Sequence, residues 1–209
     1  MIGKDNNLIM PLKFISAAER FHLMDQVDRW VVSETLRFMT ENKNDLDDSR
    51  FAINLSGQSI NSKEFLEFLV YKIKKSNVSP ESLCFEVTET AAIANLKNAS
   101  QMVLELKKLG CLFSLDDFGS GLSSFAYLKN LDVDFLKIDG GFVRDMLIDS
   151  ADAAMVEAIN HIGHVMELKT IAEYVESQAI QIAVANMGVD YVQGYAVHKP
   201  EPLINILKK

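Results

Sequence analysis

The chain has 209 residues, 48% of them hydrophobic, enough for one domain with a sizeable core and no linker to divide it. Its 21 Lys+Arg against 29 Asp+Glu give a net charge of −8, which argues against a nucleic-acid polymer or a basic membrane patch as partner. No apolar stretch approaches the roughly 20 residues that span a bilayer, and the start lacks a signal peptide's basic and apolar regions, so a cytoplasmic protein without a membrane segment is expected.

Near the start, Ser16 and Glu19 of "SAAE" read as a capping box that opens a first helix, and a second is expected from about Asp25 to Thr40. "ENKNDLDDSR", 41–50, reads as a solvated loop. Six short, apolar, partly β-branched runs follow as buried strands: "RFAINLS" (50–56), "LCFEVTE" (83–89), "CLFSLDD" (111–117), "VDFLKID" (133–139), "LKTIAEY" (168–174) and "DYVQGY" (190–195). Helical spacing separates them. It is clearest in 95–109, where Leu96, Ala99, Met102, Val103, Leu106 and Leu109 recur and Gly110 follows as a C-terminal cap. In 151–167 the residues Met155, Ala158, Ile159, Ile162, Val165 and Met166 recur in the same way, while 63–75 and 177–187 are weaker versions, the latter closed by Gly188. His161 and His164 of "HIGH" fall inside a helical pattern and read as ordinary helix residues. Cys84 and Cys111 lie in strand runs, where an unpaired Cys behaves as a small buried hydrophobe.

Strand and helix in alternation imply a parallel sheet with helical crossovers. Polar residues gather at the C-terminal end of every strand: Asn54, Glu86, Asp116 with Asp117, Lys137 with Asp139, Glu173, and Gln193. That favours a barrel, whose site is assembled from several strand ends on one face, over an open sheet with its single switch point. Lys137 and Asp139 are two apart and share a side of their strand; adjacent Asp116 and Asp117 would point oppositely, and converge only where the strand stops, near Gly119.

Two neighbouring carboxylates raise each other's pKa and call for a positive partner. Carboxylates with an amide oxygen form a hard-oxygen environment suited to Mg2+, Mn2+ or Ca2+. Asn54, Glu86, Asp116, Asp117 and Glu173 together suit two such ions, a known device for phosphodiester hydrolysis, with Lys137 steering the water or offsetting charge. The plainer alternative is that each residue caps a strand or a helix start; in register at six tips, that alternative is the weaker one.

"INLSGQS", "FEVTET", "DDFGSGLSSFAYL", "LKIDGGFV", "IAEYVE" and "QGY", in this order, resemble the EAL-domain family of cyclic-di-GMP phosphodiesterases, from about Pro11 to Pro200 and including "FISAAERFHLMDQVDRWV". The resemblance implies a TIM-like (β/α) barrel that cleaves cyclic di-GMP to pGpG with Mg2+ or Mn2+. It implies Asn54, Glu86, Asp116 and Asp117 as metal ligands, Glu173 as ligand or general base, and Lys137 as the residue that positions the water. Asp139, Glu176 and Gln193 match supporting or substrate-side positions. Glu89 matches a residue that anchors the loop "FGSGLSSF", through which relatives dimerise.

Departures from the family pattern carry their own expectations. Residues 1–209 are expected to form a single EAL-like domain, α/β in class, with six of the eight barrel strands. The first two strands, the Glu-Ala-Leu signature, one metal-ligand Glu and a substrate-binding Arg would precede Met1. Unpaired edges and an impaired two-ion site follow, and with them weak or absent hydrolysis. A start codon placed too late, or a longer product with a GGDEF or sensor domain, would account for the gap. A catalytically silent cyclic-di-GMP receptor or protein-interaction module is the alternative. Tyr174 stands where a Gly is usual, Gly141 replaces a Ser, and Ser120 replaces a Thr.

Overall fold

A computed structural model describes residues 9–46, 49–121 and 125–208. Its six strands are β1 (Phe51–Asn54), β2 (Leu83–Thr88), β3 (Leu112–Phe118), β4 (Phe135–Ile138), β5 (Lys169–Ala172) and β6 (Tyr191–Val192). They pair in parallel in the order β1-β2-β3-β4-β5-β6. Strictly sequential order has no switch point, so the sheet is wound in one direction, as a barrel wall is. Each of the six apolar runs holds one strand, β3 extending one residue past its run, to Phe118.

Alternation within the strands decides what each face does. Ile53, Phe85 and Phe113 lie side by side on one face, as do Val87, Leu115, Leu136 and Thr170, and all are buried. Phe85 and Phe113 are fully buried with their rings 5.8 Å apart; sealing each such ring from water stabilises by about 1.5–3 kcal/mol. The opposite face carries Asn54, Glu86 and Ser114 in one row, with Lys137 and Glu173 further round.

Nine helices among the described residues connect and cover the strands: α1 (Pro11–Arg20), α2 (Met24–Glu41), α3 (Gly57–Ile60), α4 (Lys63–Lys75), α5 (Glu89–Ala94), α6 (Leu96–Lys107), α7 (Gly140–Asp145), α8 (Ser150–Val165) and α9 (Gln178–Asn186). In α4, Ser62 Oγ accepts the Phe65 N–H at 3.1 Å as an N-cap, and Phe65, Leu69 and Ile73 form the buried stripe. Helix α6 ends in a Schellman turn: Cys111 N–H donates to the Leu106 carbonyl and Gly110 N–H to that of Lys107, with Gly110 at φ +99°. In α8, Gly163 lets the Thr170 side chain approach where any Cβ would collide with it.

The capping box at Ser16 is not formed. Helix α1 starts earlier, at Pro11, whose fixed φ and missing N–H suit a first turn, so Ser16 and Glu19 lie inside the helix. The 41–50 stretch contains a short 3-10 turn, Lys43–Asp45, and its residues 47–48 lie outside the described ones. Cys84 and Cys111 are buried and unpaired. No helix among the described residues is long and apolar enough to cross a membrane.

The strand starts are zipped by acids. Asp134, just before β4, accepts the Phe113 N–H at 2.8 Å and the Lys107 ammonium at 2.6 Å. Asp190, just before β6, accepts the Thr170 N–H at 2.9 Å, Lys169 Nζ at 2.7 Å, and lies 2.8 Å from His164 Nε2. Each ties its own strand to the start of the preceding one and to the end of the helix that leads into that preceding strand, so His164 is more than an ordinary helix residue.

Candidate metal centre

At the other end of the sheet the acids converge. Lys137 projects from β4 into the concave face and is 2% exposed. Its Nζ lies 2.8 Å from Glu173 Oε1, 2.9 Å from Asp116 Oδ1 and 3.3 Å from Glu86 Oε2. Asp116, Asp117 and Glu173 each bring a carboxylate oxygen within 4.8 Å of the others.

Adjacent aspartates meet here by a device that alternation alone does not suggest. Strand β3 does not stop before the pair but runs on to Phe118, and its register with β4 shifts between Leu115 and Phe118. Within that bulge Asp117 takes φ +55°, a left-handed conformation that Asp tolerates better than most residues, and its N–H donates to Asp116 Oδ1 at 3.1 Å. Gly119 follows at φ +97°, packed so that a side chain would meet Ile159 and Phe142. Glu89, buried at the start of α5, holds both ends of the loop: its carboxylate accepts the Gly119 N–H at 3.0 Å and the Tyr127 O–H at 2.6 Å. Residues 122–124 of "FGSGLSSF", where the dimerisation expectation falls in part, lie outside the described residues.

The remaining predicted positions spread outward from this cluster. Asn54, exposed at the end of the edge strand β1, hydrogen-bonds to Glu86. Asp139 caps α7, accepting the Gly141 N–H at 2.7 Å, and is near enough to Asp117 to raise its pKa. Glu176 and Gln193 have exposed side chains at the rim, and the Gln193 backbone bonds to Ala172 and Val175. Sequence reasoning missed Ser114, whose buried Oγ sits below Asp116 on the same face and has no hydrogen-bond partner among the described residues. It also missed Asp28, buried in α2, which accepts the Ser56 N–H at 2.9 Å and the Ser59 hydroxyl at 2.7 Å and so pins the loop after Asn54.

Electrostatics explain why the cluster seeks a cation. Burial pushes the Glu173 carboxyl up to about 7, against the pull of Lys137 and with help from Asp116. Burial likewise raises Glu86, and burial together with Asp116 raises Asp117. Burial opposes the charge on Lys137, but Glu86, Glu173 and Asp116 outweigh it and hold the ammonium above its ordinary pKa. One ammonium cannot balance Glu86, Asp116, Asp117 and Glu173 together. These are hard oxygen donors, and a divalent ion fits both their chemistry and their charge.

Fold and site together define a (β/α)-barrel type of domain with an acidic, cation-seeking rim at its strand tips. The EAL domain family model matches residues 2–200, and the chain belongs to that family. It is 41% identical over 209 residues to cyclic di-GMP phosphodiesterase PdeF of Escherichia coli (strain K12), covering 100% of this chain and 28% of that protein. It is 39% identical over 196 residues to cyclic di-GMP phosphodiesterase PdeB of Shewanella oneidensis, covering 94% of this chain and 23% of that protein. Among solved structures, the PaMucR phosphodiesterase in complex with c-di-GMP superposes with a TM-score of 0.92 at 32% identity, covering 98% of this chain and 83% of that one. The chain thus spans about a quarter of the length of the curated relatives it matches.

Proposed function

We propose that this chain is a cyclic-di-GMP phosphodiesterase domain in which Asp116, Asp117 and Glu173, with Glu86 and Asn54 beside them, hold Mg2+ or Mn2+ at the strand tips. The observation that carries the reading is the convergence of carboxylates from β3 and the end of β5 within 4.8 Å, next to the ammonium of Lys137. Relatives named as cyclic di-GMP phosphodiesterases, and a related structure with c-di-GMP bound, supply the substrate class. When bound, divalent ions supply an activated water and neutralise charge on phosphate oxygens.

The chain's own residues do the rest. Lys137, buried and held charged by its carboxylates, presents a fixed positive charge to the attacking water or to the phosphate. Glu173, with a carboxyl near neutrality, is suited to take a proton from water at its Oε atoms. Glu89 fixes the loop that leaves the Asp pair, and with it the bend that aims Asp117. In this reading Asp139, Glu176 and Gln193 support the substrate side. Residues 1–209 act as one domain, a homodimer forms through the loop after Asp117, and a GGDEF or sensor domain in a longer product supplies control.

The alternative reading is a catalytically silent receptor that binds cyclic di-GMP at the same strand tips without cleaving it. Incubating the purified chain with cyclic di-GMP and separating the products by chromatography decides between them. The expected result is pGpG, formed in a reaction dependent on Mg2+ or Mn2+ and lost in EDTA. Binding without pGpG would establish the receptor reading, and neither binding nor turnover would overturn both.

A further inference from the structure

Tyr174 is the residue that the mechanism leaves unused. It follows Glu173 directly, holds a left-handed φ of +51°, and leaves its side chain 61% exposed. A large aromatic residue seldom takes that conformation, and strain of this kind collects at functional positions. Its ring is braced from behind: a Cβ on Gly140 would run into Tyr174 Cβ, Cγ and Cδ2, so the ring lies against the bare backbone at the start of α7. Gly140 is next to Asp139, which acts electrostatically on Asp117. The ring therefore stands between the tips of β4 and β5, on the rim beside the acidic cluster, with one side supported and the rest open to solvent.

We infer that Tyr174 is a base-positioning residue whose ring stacks on one purine of the cyclic dinucleotide when the phosphodiester lies at Asp116, Asp117 and Glu173. The inference rests on the substrate reading above. A phosphodiester held at the cluster carries its nucleosides outward over the rim, where a flat, braced aromatic offers a purine an apolar face at little entropic cost. Bracing matters because a side chain already fixed by Gly140 loses little freedom on binding. Strain at Tyr174 is then a cost retained for the ring's position. Glycine would relieve it and remove the platform.

The test measures cyclic di-GMP binding by calorimetry with Ca2+ in the buffer, alongside thermal unfolding, for wild type, Tyr174→Phe, Tyr174→Ala and Tyr174→Gly. Tyr174→Phe should keep wild-type affinity, whereas Tyr174→Ala and Tyr174→Gly should lose roughly 5- to 150-fold, the range of one base–aromatic stack. Tyr174→Gly should melt no lower than wild type, because it frees the backbone, while binding more weakly. A merely structural ring would make affinity follow melting temperature. If Tyr174→Gly binds as wild type does, the inference is overturned and the substrate reading survives. If wild type itself binds no cyclic di-GMP, the substrate reading falls and the inference with it.

Discussion

The two ends of the sheet use the same residue type in opposite ways. At the strand starts, Asp190 and Asp134 each have more donors than charge to spare: backbone N–H groups, a lysine, and for Asp190 a histidine. At the strand tips, Glu86, Asp116, Asp117 and Glu173 crowd one ammonium. Asp190 is accordingly held below the usual carboxylate range, its bonds to Lys169, Thr170 and His164 overcoming the opposing effect of burial, whereas burial drives Glu86, Asp117 and Glu173 upward. An acid whose partners are all within the chain stabilises the fold. One that lacks them is left to find a partner outside it.

Lys137→Met should produce the largest effect. It leaves three buried carboxylates without their counter-charge, and urea unfolding of the metal-free protein should show a loss of about 3–5 kcal/mol, with hydrolysis abolished. Unchanged stability would mean that the tip acids do not depend on the lysine.

Asp190→Asn comes next, at about 1–3 kcal/mol, because the Thr170 N–H and the Lys169 ammonium lose a charged acceptor. The lowered pKa of Asp190 fixes the sign with pH: its contribution is present above the unfolded value near 3.9 and disappears as pH falls toward the folded one. The variant should therefore show a shallower acid limb than wild type.

Glu173 gives the opposite slope. With its carboxyl raised to about 7, it favours the metal-free fold below the unfolded value of about 4.3, and that contribution is lost as pH rises through 7. Divalent-ion affinity should rise over the same interval, since the ion competes with the proton. Calorimetry at several pH values checks this, and an affinity independent of pH between about 5 and 8 would contradict it. The smallest stability effect belongs to Asp117→Asn, within about 0.5 kcal/mol, because Asn tolerates the left-handed backbone and the change removes a like charge from beside Asp116.

Much of this layout is legible in the sequence, and the reasons are physical. Strands buried on their outer face need apolar, β-branched runs, so all six announced themselves, and the period of two put Lys137 on the face opposite Leu136 and Ile138. Helices α4, α6, α8 and α9 were long enough to show periodicity. Helices α3, α5 and α7 were not, being single turns or little more that follow a strand directly. Ser16–Glu19 misled because a capping box is a local pattern, and Pro11 had already started the helix. The meeting of Asp116 with Asp117 required a bulge and a positive φ that no spacing encodes. Asp28 and Asp190 act on partners distant in the chain, so their roles appeared only when the fold brought those partners near.

The most direct test of the central claim is a Mn2+ titration of the metal-free wild type and of Asp117→Asn, with the ion located by anomalous scattering in crystals of the wild type. The account predicts saturable binding, manganese lying among Asp116, Asp117 and Glu173, and an affinity at least about tenfold weaker in the variant, equivalent to roughly 1.4 kcal/mol. Manganese bound elsewhere, or bound equally well by Asp117→Asn, would contradict it.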